Sequence, residues 1–312
     1  MKNRLRLALV GCAVVTISLN HGASLHAWGR EGHRIVARIA ARNLSAEARP
    51  KLAKILGTTT ANLELAMANA ATWPDEIDKK TTGTGDWHFI DVPVTGPFGT
   101  SGLCPNHACV TDKIDELRGR LAANQTGFKL AVPPVPFRPM TSQEVAFLIH
   151  FVGDVHQPLH AATNGDRGGN CDKLTQKIVH SDQTETTELH KLWDVDEVMA
   201  VMARHGNAEA QTVSALFQRF KSGGFSVAQA SAEDWAAESN DLARSAIYTR
   251  LHIPPRTAPA GQCAVGITPV AAGGGYINTT ATIAEQRLLA AGIRLSNLLN
   301  AICAGNGCKV VS

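Results

Sequence analysis

Two pairs of histidine and aspartate in the sequence stand four residues apart. His150 with Asp154 is one pair, and His190 with Asp194 is the other. Side chains four positions apart in a helix leave the same face about one turn from each other, so each pair presents a ring nitrogen beside a carboxylate. One such pair is more typical of a surface contact. Two in one chain favour metal ligation.

The segment around Asp154 adds further polar groups to the end of an apolar helix, which is predicted to end before Pro158. His156 and His160 follow Asp154 within six positions. Burying a carboxylate and two histidines among Ala, Phe, Leu and Ile costs free energy unless they are paired or bind a metal. We therefore interpret the segment as part of a metal site. His156 is better explained as a histidine that holds the turn.

Three further motifs complete a set of candidate ligands. Trp73-Pro74-Asp75 places a carboxylate just beyond a predicted helix, and Trp87-His88-Phe89-Ile90-Asp91 places a histidine within an apolar stretch. Taken alone, Asp75 is explained equally well as a turn residue and His88 as a core histidine. The third motif, Trp28-Gly29-Arg30-Glu31-Gly32-His33, stands at the predicted start of the mature chain.

The joint pattern of these motifs resembles one family, the secreted zinc-dependent single-strand nucleases of the S1/P1 kind. This family includes mung bean nuclease and 3′-nucleotidases, and it is grouped with the zinc phospholipases C. Matching stretches run from Trp28 almost to the C-terminus, where Tyr276 and the segment 285–300 are the last. The resemblance implies a mainly α, single compact domain of many helices, with long loops clipped by disulfides.

The resemblance also implies three zinc ions, with His, Asp and one N-terminal residue as ligands. The first zinc would take Asp75, His88, His150 and Asp154. The second would share Asp154 and take His33 with the α-amino nitrogen and carbonyl oxygen of Trp28. The third would take His160, His190 and Asp194. Nitrogen and carboxylate ligands with positions left open for water are typical of hydrolytic zinc.

By the same resemblance, the protein hydrolyses single-stranded DNA or RNA to 5′-phosphates and also acts on 3′-nucleotides. Asp75 would orient or deprotonate the attacking water. Phe89 would stack on a base and Asp91 would bind the edge of that base, although Phe89 is also explained as a core aromatic. Asn170, in Gly168-Gly169-Asn170, is a weaker candidate for a phosphate contact.

One position departs from the family pattern. The family commonly has Arg or Lys three residues after the aspartate of Trp-Pro-Asp, and this chain has Asp78 there. Lys79 or Lys80 is expected to substitute for that cation, unless both lysines are simply solvated. The departure keeps open a non-catalytic, zinc-binding secreted protein. A zinc phospholipase C is the other alternative, but there the third site typically has Glu where this chain has Asp194.

The first 27 residues have the pattern of an export signal. Basic residues precede the apolar stretch Leu7–Leu19, and the small residue Ala27 ends the segment. The stretch is shorter than the roughly 20 apolar residues that span a bilayer. We therefore expect 28–312 to be one domain, secreted or periplasmic, monomeric and without membrane attachment. The formal net charge of +3 is too small to indicate a polyanionic partner by itself.

Six cysteines remain after the signal, and an even count in an exported chain favours disulfides. Short spacing pairs Cys104 with Cys109 and Cys303 with Cys308, which leaves Cys171 and Cys263 as the long-range pair. Zinc ligation by cysteine is the alternative, but the chain has no Cys-x-x-Cys spacing.

Apolar residues recur at helical spacing through most of the chain, and alternating β-branched runs are nearly absent. The later helices are predicted at about 186–203, 207–221, 227–252 and 281–302. Long loops are predicted at about 74–109, 127–140, 161–183 and 254–279, with any strand confined to a small hairpin in a loop.

Overall fold

The computed structural model describes residues 28–125 and 140–309, and helices account for most of them. The predicted export signal and most of the predicted loop 127–140 lie outside the described residues. The helices are α1 (Arg30–Arg42), α2 (Ala48–Ile55), α3 (Leu63–Glu76), α4 (Lys79–Thr82), α5 (Val110–Ala123), α6 (Met140–Asp154), α7 (Leu189–Lys191), α8 (Glu197–Arg204), α9 (Glu209–Lys221), α10 (Ala232–Leu242) and α11 (Gly274–Ile302).

Shorter elements connect these helices. The 3₁₀ turns are Gly85–His88, Pro105–His107 and Pro158–Ala161, and the π-helical stretches are Leu192–Asp196 and Ala243–Thr249. Strands β1 (Lys173–Val179) and β2 (Glu185–Glu188) form one antiparallel hairpin. The predicted mainly α fold is therefore confirmed. Within the two described ranges, each helix is too short or too polar to cross a bilayer.

Helix α1 lies at the centre of the fold because its apolar residues cover more than one face. Ile35, Val36 and Ile39 are fully buried, and the helix packs against α3 and α11. A Cβ atom at Gly292 of α11 would lie 2.5 Å from Ile39 Cγ2. Glycine at this position therefore allows the two helices to approach closely.

Helix α6 carries the first His–Asp pair and is enclosed by apolar contacts. It packs against α3 and α5, and Phe147 and Phe151 on it are fully buried. Its last two turns place His150 and Asp154 inside the protein, where both are 0% exposed. The cost of burying these polar groups is offset only if they find partners of opposite charge.

Several boundaries differ from the sequence predictions; α10 begins at Ala232 rather than at about 227, and α11 begins at Gly274, within the predicted loop 254–279. The segment 185–188 is a strand rather than the start of a helix, since the β-branched residues Thr186 and Thr187 pair it with β1. Asp75 lies inside the last turn of α3, not beyond it, because the helix continues through Pro74 to Glu76.

The three predicted disulfides are present: Cys104–Cys109, Cys171–Cys263 and Cys303–Cys308. Cys171–Cys263 joins the loop after the 3₁₀ turn Pro158–Ala161 to the long connection that precedes α11. The other two each close a loop with a sequence separation of 5. With all three bonded, these cysteines are not available as metal ligands.

Loss of the Cys171–Cys263 bond is expected to destabilise the protein more than loss of Cys303–Cys308. A bond closing a separation of 92 residues removes about 4–5 kcal/mol of loop entropy from the unfolded chain, against about 2 kcal/mol for a separation of 5. Urea unfolding of the two Cys→Ser double variants, C171S/C263S and C303S/C308S, measures the difference. Equal losses of unfolding free energy would contradict the entropic account.

Candidate metal centre

Seven elements bring eight histidines and aspartates together in the interior. They form three groups whose ligand atoms lie within 4.8 Å of one another in each group. The groups are His33 with Asp75 and His150, His88 with His150 and Asp154, and His160 with His190 and Asp194. The first two groups share His150 and form a single cluster.

In the shared cluster, three side chains meet around Asp154. His88 Nδ1 lies 3.0 Å from Asp154 Oδ2 and 3.0 Å from His150 Nε2. His150 Nε2 lies 3.5 Å from Asp75 Oδ1. His150 Nδ1 donates a hydrogen bond to the carbonyl oxygen of Ala71, which fixes the ring orientation and directs Nε2 into the cluster.

His33 enters this cluster from α1. Its Nε2 lies 3.3 Å from Asp154 Oδ1, and its ring stacks on His150 with a centroid distance of 3.8 Å. A Cβ atom at position 153 would lie 2.8 Å from His33 Nδ1, so Gly153 makes room for the ring. Both ring nitrogens are buried, and neither forms a hydrogen bond to any of the described residues.

The third group lies where α7 leads into the π-helical stretch Leu192–Asp196. His160 Nδ1 donates to the carbonyl oxygen of His88, and His190 Nδ1 donates to that of Gly168. The two Nε2 atoms then face each other at 3.2 Å, and His190 Nε2 lies 3.3 Å from Asp194 Oδ2. Gln157 donates to the other oxygen of Asp194 at 2.8 Å.

The tautomers in the third group show that it fits a metal cation. Because each Nδ1 carries the donated proton, each Nε2 of the neutral rings presents a lone pair. Burial lowers the pKa of His190, and burial with the nearby His190 lowers the pKa of His160 to about 3, so both rings are neutral at pH 7. Two lone pairs and a carboxylate facing one point are the donor set that zinc binds.

The electrostatics of the shared cluster also favour positive charge. Burial alone would lower the pKa of His150, but the carboxylates of Asp154 and Asp75 outweigh it and raise that pKa to about 10. Burial opposes ionisation of Asp75 and Asp154, yet the neighbouring His150 holds the pKa of both carboxyls well below the usual range. In the third group, burial raises the pKa of Asp194 well above its usual range. A cation bound there would restore the carboxylate.

Trp28 is held beside the third group. It is fully buried, and the amide of Gly29 donates to the carbonyl oxygen of Asp194 at 2.6 Å. A Cβ atom at Gly32 would lie 2.7 Å from Trp28 Cβ, which shows how closely α1 turns over the tryptophan. The structure thus fixes the position of Trp28 beside Asp194.

A cavity of about 620 Å³ opens from the metal centre to the surface. Lys79, Phe89, Asp91 and Asn170, the four predicted substrate contacts, all line it. Lys79 Nζ donates to Asp75 Oδ1 at 2.6 Å, and its side chain is only 18% exposed. A cation therefore lies at the cavity floor despite the departure from the family pattern.

Asp78, where the family commonly has that cation, has a structural role in this chain. Its side chain caps α4 by accepting from the amides of Lys80 and Thr81. This cap begins a new helical turn, and the turn directs Lys79 back toward Asp75, four positions earlier. Lys80 also lines the cavity.

Phe89 and Asp91 are both half-buried and lie on one wall of the cavity. Burial and the nearby Asp166 raise the pKa of the Asp91 carboxyl to about 6, an effect that Arg167 opposes. The side-chain amide of Asn170 donates to the carbonyl oxygen of Arg167 at 2.7 Å. In this conformation Asn170 stabilises its own loop.

Sequence reasoning missed two residues of this site. Gln157 hydrogen-bonds Asp194, and its place within the motif Asp154–His160 was the available signal. Arg167 lines the cavity, but an arginine one residue before Gly168-Gly169 has no distinguishing mark in a single sequence. His156, by contrast, lies outside the three groups. Its Nδ1 donates to Val152 and its Nε2 accepts from Arg294.

A buried carboxyl behind the third group is expected to make stability pH-dependent. Burial raises the pKa of Glu197 to about 8, although Thr280 donates a hydrogen bond to it. Because the pKa of Glu197 in the folded protein exceeds its unfolded value, the contribution of this carboxyl to stability is full below about pH 4.5 and is lost as pH rises through about 8.

The variant Glu197→Gln removes this titration. Between pH 5 and 8, the unfolding free energy of the wild type should fall relative to that of the variant by on the order of 2–4 kcal/mol. Urea unfolding of both proteins in EDTA at the two pH values measures the change. Glu47→Gln, at an exposed position, is the control. A difference that does not change with pH would refute the assignment.

Comparison with known proteins gives a consistent result over nearly the whole chain. A model of the S1/P1 nuclease family matches residues 28–304. Endonuclease 3 of Arabidopsis thaliana is 30% identical over 312 residues, which are 96% of this chain and 95% of the relative. Nuclease S1 of Aspergillus oryzae is 26% identical over 290 residues, 89% of this chain and 92% of the relative. Nuclease P1 of Penicillium citrinum is 26% identical over 298 residues, 88% and 97% respectively.

These matches confirm the resemblance that the sequence motifs indicated. The family match begins at Trp28 and includes every residue of the three His–Asp groups. The helical fold and the enclosed His–Asp groups agree with it. The chain belongs to the S1/P1 nuclease family and is a nuclease.

Proposed function

We propose that the protein is a zinc-dependent nuclease that hydrolyses single-stranded DNA and RNA to 5′-phosphate products and also removes phosphate from 3′-nucleotides. The observation that carries the proposal is the adjacency of two features. Three buried His–Asp groups suited to metal ions lie at one end of a cavity whose wall includes Phe89 and Asp91. Phosphodiester chemistry and base recognition are thus supported by neighbouring side chains.

The proposed ligands are the residues of the three groups together with Trp28. One zinc would be held by Asp75, His88, His150 and Asp154, and a second by Asp154, His33 and the backbone of Trp28. The third would be held by His160, His190 and Asp194. Bound zinc would supply the Lewis acid and the positive charge that phosphodiester hydrolysis requires. The orphaned nitrogens of His33 and the facing lone pairs of His160 and His190 support this assignment.

Asp75 and Lys79 are the proposed groups that act on the reacting phosphate. Asp75 is ionised, because its neighbours keep its pKa low, so its carboxylate can accept a hydrogen bond from attacking water and orient it. Lys79 Nζ, 2.6 Å from that carboxylate, can donate to a phosphoryl oxygen beside it. Its charge would be complementary to the negative charge that develops in the transition state.

Phe89 and Asp91 are the proposed base site. A half-buried aromatic ring stacks on any base, and stacking requires a base that is not already paired. Asp91 would bind the base edge through its carboxyl group. This combination supports preference for single strands with little dependence on sequence. Asn170 is the weakest member of the set, since its amide is engaged by Arg167.

We further propose that residues 1–27 are removed on export and that the mature protein is a monomer of residues 28–312, secreted or periplasmic. The basic and apolar pattern before Ala27 supports export. The three disulfides support an oxidising destination.

The proposed activity is tested with purified protein on matched substrates: single-stranded and duplex DNA, single-stranded RNA, a 3′-nucleotide and phosphatidylcholine. Cleavage of the single strands with 5′-phosphate ends, abolished by EDTA and restored by zinc, is the expected result. Lipid hydrolysis without nucleotide release would favour a phospholipase instead. Zinc binding without hydrolysis of any substrate between pH 5 and 9 would leave a metal-binding protein.

Replacement of Lys79 is expected to lower activity more than replacement of Lys80. Lys79→Ala removes the amine beside Asp75, and loss of one such transition-state donor costs about 10²- to 10³-fold in kcat. Lys80→Ala is the matched comparison, because both lysines line the cavity but Lys80 follows by one position. Steady-state hydrolysis of single-stranded DNA measures both. Equal effects would assign the charge to the cavity as a whole.

A further inference from the structure

The loop after the 3₁₀ turn Pro158–Ala161 holds Arg167 in an unusual conformation. Its φ angle is +58°, and Gly165, Gly168 and Gly169 around it also have positive φ. A positive φ at a long non-glycine side chain is uncommon and costs free energy. Two hydrogen bonds from Asn170, one from its amide N–H and one from its side chain, fix the carbonyl of Arg167 and so maintain this turn.

The Arg167 side chain faces the cavity, and its guanidinium does not hold other parts of the described fold together. Within the residues 28–125 and 140–309, its guanidinium makes no ion pair or hydrogen bond. Two other cations nearby differ from it: Arg256 is held by both oxygens of Asp172, and Lys79 is held by Asp75. Arg167 is exposed and lines the cavity at the metal centre.

Arg167 also lines a second chamber, which adjoins the first. This chamber has a volume of about 510 Å³ and shares Phe89, Asp91 and Arg167 with the cavity at the metal centre. His88, His160 and His190 of the metal groups line the first chamber and not the second. The second chamber therefore extends the site away from the metals, on the far side of the proposed base site.

The walls of the second chamber suit a nucleoside. Pro93, Leu103, Ala108 and Pro259 provide apolar surface, and Gln262 provides an amide. Pockets of about 300–1,000 Å³ accommodate ligands of this size. A strand whose base lies against Phe89 would have to pass Arg167 to place its next nucleoside in this chamber. The guanidinium matches a phosphate in charge and in geometry.

We propose that the second chamber is a subsite for one further nucleotide of a single strand and that Arg167 binds the phosphodiester joining that nucleotide to the one at Phe89. The assignment rests on the proposed function and extends it. The reacting linkage then lies at the metals, and the next linkage along the strand lies at Arg167. Substrates long enough to carry this second charge gain a contact that a dinucleotide lacks.

The test compares a dinucleotide with trinucleotides extended by one residue on either side of the scissile linkage. The added linkage is either a phosphodiester or an uncharged methylphosphonate, and the reacting linkage is unchanged. For the wild type, extension on one side with a phosphodiester should raise kcat/KM by about tenfold, the size of a charge-assisted hydrogen bond. The methylphosphonate should remove most of that gain.

The variant Arg167→Gln should lose the same gain, so that the ratio of trinucleotide to dinucleotide kcat/KM falls about tenfold. In this variant the methylphosphonate should have no further effect, because both changes remove one interaction. Arg167→Lys keeps the charge and should retain most of the ratio. Arg118→Gln removes an exposed arginine that lines neither chamber and should leave the ratio unchanged.

The chamber itself is tested by Ala260→Trp. Ala260 lines the second chamber alone, and a large side chain there should reduce the gain from extension. An unchanged ratio in Arg167→Gln, or a methylphosphonate penalty that persists in it, overturns the assignment. If no substrate is cleaved, the proposed function fails, and equilibrium binding of the same strands to the same variants still decides the subsite.

Discussion

Replacing Asp154 with asparagine is expected to abolish nucleic-acid hydrolysis, lowering kcat/KM by about 10⁴-fold or more, as loss of one member of an interdependent catalytic set does. Asp154 is the carboxylate on which the shared cluster is centred. Its oxygens lie 3.0 Å from His88 Nδ1, 3.3 Å from His150 Nε2 and 3.3 Å from His33 Nε2. No other carboxylate of the cluster approaches three histidines so closely within the described residues.

The effect of Asp154→Asn should appear first in metal content. The amide keeps the size of the side chain but removes the negative charge that two proposed zinc ions would share, so zinc per chain should fall by more than one. Native mass spectrometry and hydrolysis of single-stranded DNA measure the two consequences together. Asp115→Asn, at an exposed position on α5, is the control. Full zinc content in Asp154→Asn would contradict a shared ligand.

Two pairs of the proposed ligands were predictable from helical spacing, and the other proposed ligands followed from the resemblance to the family. His150 and Asp154 lie on one face of α6, and the sequence alone predicts that. Their common burial also followed, since the surrounding residues of α6 are apolar. The short turn Asp154–His160 then connects the shared cluster to the third group.

That turn is held by contacts no sequence pattern indicates. Arg287 on α11 donates to the carbonyl oxygen of His156 at 3.0 Å, and Arg294 donates to its ring. Glu238 on α10 pairs with both arginines. These residues come from helices about 80 to 140 positions away in sequence, and only the tertiary fold brings them together. The network anchors the chain between Asp154 and His160.

Local chemistry overrode one sequence expectation and explains how a second one is met. Thr186 and Thr187 favour a strand, and pairing with β1 prevailed over the helical spacing of the segment that follows. Asp78 was recognised as a departure from the family, but its capping of α4 and the consequent direction of Lys79 depend on a turn. The positive charge that the family commonly has at position 78 is therefore found one residue later, at Lys79, and still lies beside Asp75.

A chain that begins one residue before Trp28 is expected to lose one zinc ion and most of its activity. The proposed second site uses the α-amino nitrogen of Trp28, which exists only when Trp28 is the first residue. An added Ala27 converts that amine to an amide, which is not a ligand at neutral pH. The loss of activity should exceed the roughly 10- to 100-fold typical of removing a partner outside the ligand set.

The fold supports so strict a dependence because Trp28 has little freedom to move. Its indole is fully buried, and the amide of Gly29 donates a hydrogen bond to the carbonyl oxygen of Asp194. Gly32 packs so closely against the tryptophan that a Cβ atom there would lie 2.7 Å from Trp28 Cβ. His33, one helical turn into α1, presents two ring nitrogens without hydrogen bonds in the described part of the chain. A zinc ligand pair formed by His33 and the backbone of Trp28 would account for the fixed position of Trp28 and for the two unbonded ring nitrogens of His33.

Two preparations released from a removable N-terminal tag, one starting at Trp28 and one at Ala27, provide the measurement. Native mass spectrometry gives the first residue and the zinc count, and hydrolysis of single-stranded DNA gives activity. Trp28→Phe, released with its own free amine, separates the amine from the packing of the indole: it should keep the zinc that the Ala27 chain loses. Equal zinc content in the Trp28 and Ala27 chains would remove the amino group from the proposed ligand set and leave His33 and Asp154 to hold that ion.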